Sequence, residues 1–487
     1  MLKKLNFWHK LLTKFTIEML LERPLPFIEN YLECINQELM KKNPNYVLSK
    51  KQKLWLSFCL SGVLLTNSIC WKRFERISLG KFRFSALSWM FRNSKISFDH
   101  LLKQSTCNIL KHYGIKEGVL CIDDVDRARS KSTKKIYKVH KLKDKLTGGF
   151  LDGQCIVFLF LVTPVASFPV GFEFYHPDPL WKAWKKKDDR LKKKKIPKKK
   201  RPKEPQRNPA YPTKVQLALE LLNIFHKKHP GIEIKAILAD GLYGHAEFVD
   251  GSSLIFGGTQ TITKMKYNQN VRFKSSLISV QKFFESYPLI PQKVSVRGKE
   301  DIEIFISSAR LYVPSHNAKR FVIAIQYPDE KKPRYLLASD LSWRTLDIVQ
   351  AYFFRWLIEV FFEDWKGHEG WGKLTKHTGK DGSRSSLILS LLLDHALFFH
   401  HHQKARLENK LPAWSVGSLS QRIHTEALVQ FVQDFCKDEI SEQKLDELKE
   451  RIDNIIPFNP STKHMSSRIF PQMMPAPSLE HFRKKVA

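Results

Sequence analysis

Two short apolar segments that each end on an aspartate constrain the fold of this chain more than any other feature. Residues 118–122 are apolar and stop at Asp123-Asp124, and residues 232–239, rich in isoleucine and alanine, run to Asp240. A short apolar run bounded by polar residues predicts a buried strand. We therefore expect two buried strands, each of which delivers a carboxylate at its C-terminal end.

A third acid lies on a predicted helix much later in the chain. Tyr352, Arg355, Glu359 and Lys366 stand at offsets 0, 3, 7 and 14. At about 100° per residue these offsets place all four side chains on one face of a continuous helix. A carboxylate that shares a helix face with two cations and a phenol suits a site that holds a metal ion beside a phosphate chain.

The order of strand-like and helix-like segments predicts an α/β protein. Strand patterns begin at residue 118, helices resume at residue 213, and strand follows strand from residue 258 to residue 340. We divide the chain into five regions: a helical DNA-binding region at 1–115, the first part of a catalytic core at 116–257 with a basic loop at 176–212, a β-rich insertion at 258–340, the second part of the core at 341–405, and a helical region for dimerisation or DNA contacts at 406–487.

The charge balance indicates a nucleic-acid partner. The chain has 82 Lys and Arg against 48 Asp and Glu, a net charge of +34, and nucleic acid is the usual source of counter-charge. Residues 182–207 contain 15 Lys or Arg and 3 acids. We interpret them as a mobile loop that contacts the phosphate backbone, with a merely solubilising loop as the alternative. Residues 71–102 mix basic and aromatic side chains, which fits a helix-turn-helix-like module or an ordinary helical domain with a basic surface.

Other classes of protein are disfavoured by what the chain lacks. Its seven cysteines form no CxxC pair, which argues against a zinc ribbon or a disulfide framework and favours a reducing cytosol. Lysines interrupt the apolar residues of the N-terminus, unlike those of a signal peptide. The longest apolar stretch, residues 387–400, is too short to span a bilayer. There is no GxxxxGK[ST] loop for ATP.

Two strand-borne acids followed by a helix-borne acid match an RNase H-like fold. That fold brings acids from a first strand, a neighbouring strand and a final helix together, here Asp123, Asp240 and Glu359. Because Mg²⁺ prefers hard oxygen ligands and keeps several waters, two or three carboxylates can hold two ions when phosphate oxygens complete the shell. We choose Asp123 as the first acid because it follows the apolar run directly, and Asp124 stays open as the alternative.

The same residues resemble the DDE transposases of bacterial insertion sequences, in the branch marked by Y-x2-R-x3-E-x6-K. Tyr352, Arg355, Glu359 and Lys366 match all four positions at the right spacing. The resemblance extends over roughly residues 115–405, including a β-rich insertion before the glutamate helix.

The contexts of the two aspartates resemble those of the family's first and second acids. They are Cys-Ile-Asp123-Asp-Val and Leu-Ala-Asp240-Gly-Leu-Tyr-Gly. One position departs from the pattern, because Val125 stands two residues after Asp123, where the family often has Ser or Thr. This departure leaves the register of the aspartate doublet open.

The resemblance implies a role for each matched residue. The implied catalytic and metal-binding acids are Asp123, Asp240 and Glu359, and the implied DNA contacts are Tyr352, Arg355 and Lys366. The implied cofactor is a pair of Mg²⁺ ions, for which Mn²⁺ can substitute. Such an enzyme binds terminal inverted repeats and target DNA as a dimer in the bacterial cytosol. It cuts and pastes DNA, commonly through a hairpin on the transposon end.

Two tryptophans and five histidines have competing interpretations. Trp356 or Trp365 could stack on a distorted base, although tryptophans on helices more often belong to a core. His395 and the run at 400–402 could bind a metal, but a polar helix end is favoured. His140 is interpreted as a solvated histidine in a basic segment.

Three rival functions fit parts of the same pattern. An RNase H-like nuclease would cut DNA without joining it. An inactive transposase-derived protein would bind DNA and ignore the loss of Asp240. An architectural basic protein would show no preference for DNA ends and no ordered acid cluster.

Overall fold

The computed structural model describes residues 23–78, 81–129, 135–144, 147–163, 165–294, 302–371, 377–401 and 416–435, and the single residue 446. The predictions for the basic N-terminus before residue 23, for His402 and for most of the region 406–487 lie outside the described residues. Within these ranges, no single helix is long and apolar enough to cross a membrane.

The described residues form two compact units. One contains the residues up to Ile115, a short segment that ends at Phe168, and the residues from Glu359 onwards. The other contains the segments from Lys116 to Thr163 and from Pro169 to Ile358.

Helices build the first unit. Its N-terminal helices are α1 (Pro26–Lys42), α2 (Lys50–Thr66), α3 (Trp71–Ile77), α4 (Phe84–Asn93) and α5 (Phe98–His112). A capping box begins α2, in which Ser49 and Gln52 bond each other's backbone N–H groups. Residues 55–65 of α2 are all buried, and a helix that is apolar on every side belongs at the centre of a core.

A large mixed sheet dominates the second unit. Its strands are β1 (Glu117–Ala128), β2 (His140–Lys143), β3 (Phe150–Val162), β4 (Ser167–Tyr175), β5 (Glu233–Ala239), β6 (Gln260–Met265), β7 (Asn270–Phe273), β8 (Ser276–Ser279), β9 (Ile290–Val294), β10 (Ile302–Val313), β11 (Ala318–Gln326) and β12 (Arg334–Ala338). The order is β2-β3-β1-β5-β6-β12-β11-β10-β7-β8, with β4 beside β3 and β9 beside β10.

Strand β1 is the centre of the part of the sheet that carries the aspartates. It pairs antiparallel with β3 and parallel with β5, and β5 pairs parallel with β6. Seven consecutive residues of β3, Ile156 to Val162, are buried, as expected for a strand covered on both faces. This mixed α/β sheet with helical flanks confirms the predicted RNase H-like fold class.

The strands of the predicted insertion continue the same sheet. Strand β6, which the sequence analysis assigned to the insertion at 258–340, pairs directly with β5, and β12 pairs with β6. The residues beyond them bury an apolar cluster of their own that includes Val271, Phe283, Leu311 and Tyr335. The β-rich region is therefore an extension of the sheet with a local core under it.

The remaining helices are α6 (Pro179–Lys193), α7 (Lys214–Lys228), α8 (Ala246–Ile255), α9 (Val280–Glu285), α10 (Thr345–Phe353), α11 (Trp356–His368), α12 (Gly379–Leu397) and α13 (Val416–Phe435). The division between the two units falls inside α11, between Ile358 and Glu359.

The prediction of a mobile loop at 182–207 is wrong for residues 182–193, because these residues belong to α6. Asp178 caps the helix by accepting hydrogen bonds from the N–H groups of Leu180 and Trp181, and Pro179 occupies its first turn. The lysine-rich composition concealed these start signals, since lysine is itself a good helix former.

The prediction of one continuous helix through residues 352–366 is also wrong. Helix α10 ends at Phe353 and α11 begins at Trp356. Across the break the N–H groups of Phe354 and Arg355 donate to carbonyls three residues earlier. These are 3₁₀-type bonds, which change the turn angle and often mark functional positions. The four signature residues therefore do not share one helix face.

Candidate active site

Asp123 and Asp240 lie side by side on neighbouring parallel strands. The register pairs Ile122 of β1 with Ala239, the last residue of β5, so an aspartate comes next in both segments. The prediction that each acid lies at the C-terminal end of its strand is right for Asp240 and wrong for Asp123, because β1 continues to Ala128. Residues paired in a parallel ladder point to the same face of the sheet. The sheet therefore brings together the two strand-borne acids that the sequence pointed to.

Local backbone structure orients Asp240. It lies immediately after β5 and caps the short 3₁₀ turn Gly241–Tyr243, accepting a hydrogen bond of 2.8 Å from the N–H of Leu242 to Oδ1. Aspartate favours such turns because its side chain bonds the backbone two residues later. One carboxylate oxygen is thus held by the turn at the strand end.

Asp123 forms an ion pair with Arg355. The distance from Arg355 Nη1 to Asp123 Oδ2 is 2.9 Å, and the two side chains are only 9% and 15% exposed. The other carboxylate oxygen, Oδ1, accepts a hydrogen bond from the N–H of Asp124. Burial raises the pKa of Asp123 to about 7, with Arg355 opposing the rise and Asp240 adding to it.

The helix break positions both Arg355 and Tyr352 at this pair of strands. Tyr352, near the end of α10, is buried, and its hydroxyl lies 3.4 Å from the carbonyl oxygen of Ala239, to which it donates. Burial raises the pKa of Tyr352, so the phenol keeps its proton. Because Ala239 precedes Asp240, this contact supports the strand end that carries the second acid.

Asp124 points away from Asp123, since successive residues of a strand face opposite sides of the sheet. Its Oδ2 lies 2.7 Å from the ammonium of Lys214, the first residue of α7. The Asp124 carboxylate raises the pKa of Lys214 although burial acts to lower it. Asp124 therefore already has a fixed cationic partner. The sequence analysis assigned no role to Lys214, and its capping-box helix start at Thr213 was the available signal.

Asp124 also belongs to a small group of potential metal ligands. One ligand atom each from Asp124, Asp126 and Cys155 lie within 4.8 Å of one another. The Cys155 thiol is 3.6 Å from Asp124 Oδ2, to which it can donate, and burial raises the thiol pKa, so it stays protonated. A protonated thiol and a lysine-paired carboxylate make this group a poor site for a hard cation.

Tyr243 is a buried residue near the acids that sequence reasoning did not select. It is 0% exposed, and its hydroxyl finds no hydrogen-bond partner among the described residues. Burial raises its pKa, and the carboxylates of Asp124, Asp123 and Asp240 raise it further. The Gly-Leu-Tyr-Gly turn after Asp240 was the signal that could have found it.

Glu359 and Lys366 lie in the part of α11 that belongs to the helical unit, and both are half-buried. Within that unit, Trp365 is completely buried. Its ring stacks on Trp371 at 4.8 Å between centroids, and its indole N–H donates to Ser390. The structure therefore confirms the favoured interpretation of Trp365 as a core residue and excludes the alternative of base stacking for it. Trp356 is half-buried at the start of α11.

The histidines have structural partners. His395 is completely buried, and its Nδ1 lies 2.7 Å from the hydroxyl of Ser105. His400 is also buried, and its ring packs edge-on against Phe27. His140 is half-buried beside His176, with Nδ1 bonded to the carbonyl of Lys138, so it is not simply solvated. Among the described residues, none of the three belongs to a group with metal-ligand geometry.

The donor set around Asp123 and Asp240 fits a divalent cation. Both side chains offer hard carboxylate oxygens, Asp123 from within β1 and Asp240 from the end of the neighbouring β5, and this is the ligand type that Mg²⁺ and Mn²⁺ accept. The raised pKa of Asp123 shows that negative charge is unfavourable in this half-buried place, and a divalent cation would relieve that cost.

Comparison with known proteins agrees with this reading over the first part of the chain. A family model described as "DDE superfamily endonuclease" matches residues 38–279, a range that includes Asp123 and Asp240 and ends before Glu359. No curated protein matches the chain. The match does not reach the Y-x2-R-x3-E-x6-K signature, so it does not select that branch. The match over residues 38–279 supports similarity to a DDE transposase-type family.

Proposed function

We propose that the protein is a DNA transposase that binds terminal inverted repeats and catalyses metal-dependent phosphodiester hydrolysis and strand transfer by a cut-and-paste route. The observation that carries the proposal is the placement of Asp123 and Asp240 on adjacent parallel strands, with Arg355 on Asp123. The match to DDE superfamily endonucleases supports it independently.

Asp123 and Asp240 are the proposed first and second metal ligands, and Glu359 is the proposed third. The support for Glu359 is its place in the signature, four residues after Arg355, which contacts Asp123. Two bound Mg²⁺ or Mn²⁺ ions would supply Lewis-acid stabilisation of the attacking and leaving oxygens. Asp124 is not the preferred first acid, because its side chain lies on the opposite face of the sheet from Asp123, where it pairs with Lys214.

The proposed phosphate contacts are Arg355 and Lys366, with Tyr352 as a positioning residue. A planar guanidinium matches the geometry of a phosphate, and the bond from Nη1 to Asp123 holds the Arg355 guanidinium beside the proposed metal ligand. Tyr352 is buried and bonded to Ala239. Its hydroxyl therefore acts on the β5 end rather than on DNA.

In the proposed reaction a water oxygen replaces the 3′-oxygen on the scissile phosphorus, which leaves a 5′-phosphate and a free 3′-hydroxyl. The 3′-hydroxyl then displaces a 3′-oxygen from a phosphodiester of target DNA, so the number of phosphodiester bonds is conserved. Two DNA ends must be held together for this exchange, and a dimer of the chain is the proposed arrangement.

A nuclease that cuts without joining is the second candidate, and the description of the matching family as an endonuclease favours it. The same pair of aspartates would serve hydrolysis alone. The two candidates differ in their products, because only a transposase converts a 3′-end into a joined strand.

The test is cleavage of a labelled duplex that carries the element's own terminal repeat, with Mg²⁺ or Mn²⁺. We expect nicking followed by hairpin or joined products. Asp123→Asn, Asp240→Asn and Glu359→Gln should each lower the rate by more than about 100-fold, since each removes a metal ligand. Asp126→Asn, an exposed acid on the same strand, is the matched control and should keep the wild-type rate.

Each outcome of the cleavage assay distinguishes between the candidate functions. Nicking without joining selects the nuclease, and duplex binding without any nicking by the wild type refutes the catalytic proposal. Loss of nicking in Asp126→Asn but not in Asp123→Asn would move the metal to the group around Asp124.

A further inference from the structure

Residues 179–207, here called the basic arm, form an ordered projection of the sheet unit. The arm consists of α6 and a return segment that follows it and contains the short 3₁₀ turn Lys198–Lys200. It holds the same lysine-rich run that the sequence alone indicated to be a loop. Three sets of contacts hold the return segment against the helix.

Asp178 closes the base of the arm. Its Oδ1 accepts hydrogen bonds from the N–H groups of Leu180 and Trp181 at the start of α6. Its Oδ2 accepts one of 3.1 Å from the N–H of Asn208, where the return segment ends. One buried carboxylate thus joins the two ends of the arm.

Two tryptophans hold the middle of the arm. The indole N–H of Trp184 donates to the carbonyl of Pro202 at 2.8 Å, and that of Trp181 donates to Glu204 at 2.7 Å. The guanidinium of Arg207 lies 3.7 Å from the centre of the Trp181 ring, a cation–π contact.

An ion pair holds the tip of the arm. Arg201 of the return segment binds both carboxylate oxygens of Asp188 with one nitrogen, at 2.9 and 3.1 Å, and both side chains are 14% exposed. Trp181, Trp184 and Asp188 follow one another at spacings of three and four, so the inner stripe of α6 faces the return segment.

These contacts leave the cations of the arm facing solvent. Of the 15 Lys and Arg at 182–207, all except Lys185 and Arg201 are exposed, and the only exposed acid in that range is Glu204, which binds Trp181. The inner stripe uses the tryptophans and aspartates, and the outer surface is almost entirely positive. A segment that only increased solubility would need charge, but it would not need these contacts between α6 and the return segment.

We propose that the basic arm binds the phosphate backbone of duplex DNA. The inference rests on the proposed function for the identity of the polyanion, and it adds a second DNA contact apart from the acids. Lysines are point charges that neutralise phosphates without reading bases, so the arm should contribute affinity independent of sequence. Because the arm is already folded, less ordering is required when it binds.

The test compares two full-length variants that each lose six exposed lysines from the sheet unit. The arm variant changes Lys186, Lys187, Lys192, Lys193, Lys198 and Lys199 to Gln, and the control variant changes Lys266, Lys274, Lys282, Lys319, Lys331 and Lys332 to Gln. Binding to a random-sequence duplex and to the terminal repeat is measured by fluorescence anisotropy, without metal, between about 50 and 200 mM salt.

We expect the arm variant to bind both duplexes at least about tenfold more weakly than the wild type. The slope of the logarithm of the association constant against the logarithm of the salt concentration should become shallower by up to about 5, because each of the six lost phosphate contacts contributes about 0.9. The loss should be equal on both duplexes, and the control variant should change far less. A further variant, Trp184→Ala with Arg201→Ala, loosens the clamp and should weaken binding in proportion to the lost order.

Equal effects of the arm and control variants overturn the proposal. The proposal is also overturned if the arm variant keeps its affinity for DNA and loses binding only to phosphatidylserine vesicles or to an acidic protein. The proposed function has a separate readout in the nicking of the terminal repeat by the wild type. If DNA binding depends on the arm but the wild type does not nick the terminal repeat, the proposed function is refuted and the proposal for the arm stands. If the wild type nicks the repeat but binding does not depend on the arm, the proposal for the arm is refuted and the proposed function stands.

Discussion

The pair formed by Asp124 and Lys214 provides a test of the proposal that Asp123, and not Asp124, is the first acid. Its ammonium–carboxylate distance is 2.7 Å, and the side chains are 18% and 20% exposed. Lys214→Met removes the cation and leaves a carboxylate that is largely withdrawn from water. Removing one partner of a buried pair costs about 3–5 kcal/mol, and the residual solvent contact reduces our expectation to about 2–3 kcal/mol.

The double variant Asp124→Asn with Lys214→Met removes both charges. Because replacement of a whole pair by neutral groups is often close to neutral, we expect a cost below about 1 kcal/mol. The double-mutant cycle should then give a coupling energy of about 2 kcal/mol. The measurement is urea unfolding of the metal-free proteins, with the midpoint read at a constant m-value.

The same double variant tests the site. It should keep metal-dependent nicking, whereas Asp123→Asn should lose it, because only Asp123 lies beside Asp240. Additive single mutations would show that the two side chains do not interact. A double variant that is stable but as inactive as Asp123→Asn would make Asp124 the first acid and refute the argument from strand alternation.

Two further predictions concern the same part of the sheet. Gly244→Ala should lower the free energy of unfolding by about 1–3 kcal/mol and lower the nicking rate, because a Cβ there would lie 2.7 Å from the carbonyl oxygen of Lys264. Urea unfolding measures this cost against the control Gly231→Ala, where an added Cβ meets nothing within 4 Å. Equal stabilities of the two variants would contradict the prediction. The pKa of Asp123 near 7 lies above its unfolded value of about 3.9, so between these values the folded state holds a proton that the unfolded state has lost. The free energy of unfolding of the metal-free protein should therefore fall as pH rises through this window, by up to about 1.4 kcal/mol per pH unit from this group. In Asp123→Asn the free energy of unfolding should depend less on pH. Parallel pH dependences of the wild type and the variant would show that the pKa of the Asp123 carboxyl is not raised.

Much of the fold followed from local pattern. The apolar runs before Asp123 and Asp240 became β1 and β5, because short runs rich in aliphatic and β-branched residues and bounded by polar residues favour buried strands. The strand-rich stretch after residue 258 likewise became strands β6 to β12, with α9 among them. The residue types at the strand ends were sufficient to select the candidate acids.

Other features depended on contacts that no local pattern contains. The basic run at 182–207 was expected to be mobile, yet part of it folded as α6. The inner face of α6 is held through Trp181, Trp184 and Asp188 by residues 13 to 23 positions away along the chain. The break between α10 and α11 places Arg355 on Asp123, 232 residues earlier. Helical periodicity predicted a shared face because it cannot detect a turn that long-range contacts stabilise.

By itself, the sequence determined the fold class, the two strands and the aspartates that follow their apolar runs, since burial of apolar runs and the preference of Asp240 for a turn after its strand are local properties. Only the tertiary structure decided that β1 and β5 are parallel neighbours in a register that aligns Asp123 with Asp240. It also separated Asp123 from Asp124, by giving one an arginine and the other a lysine on opposite faces of the sheet. The physical reason is that strand pairing and the side-chain partners of each face are set by the packing of distant segments, which adjacent residues in a doublet cannot encode.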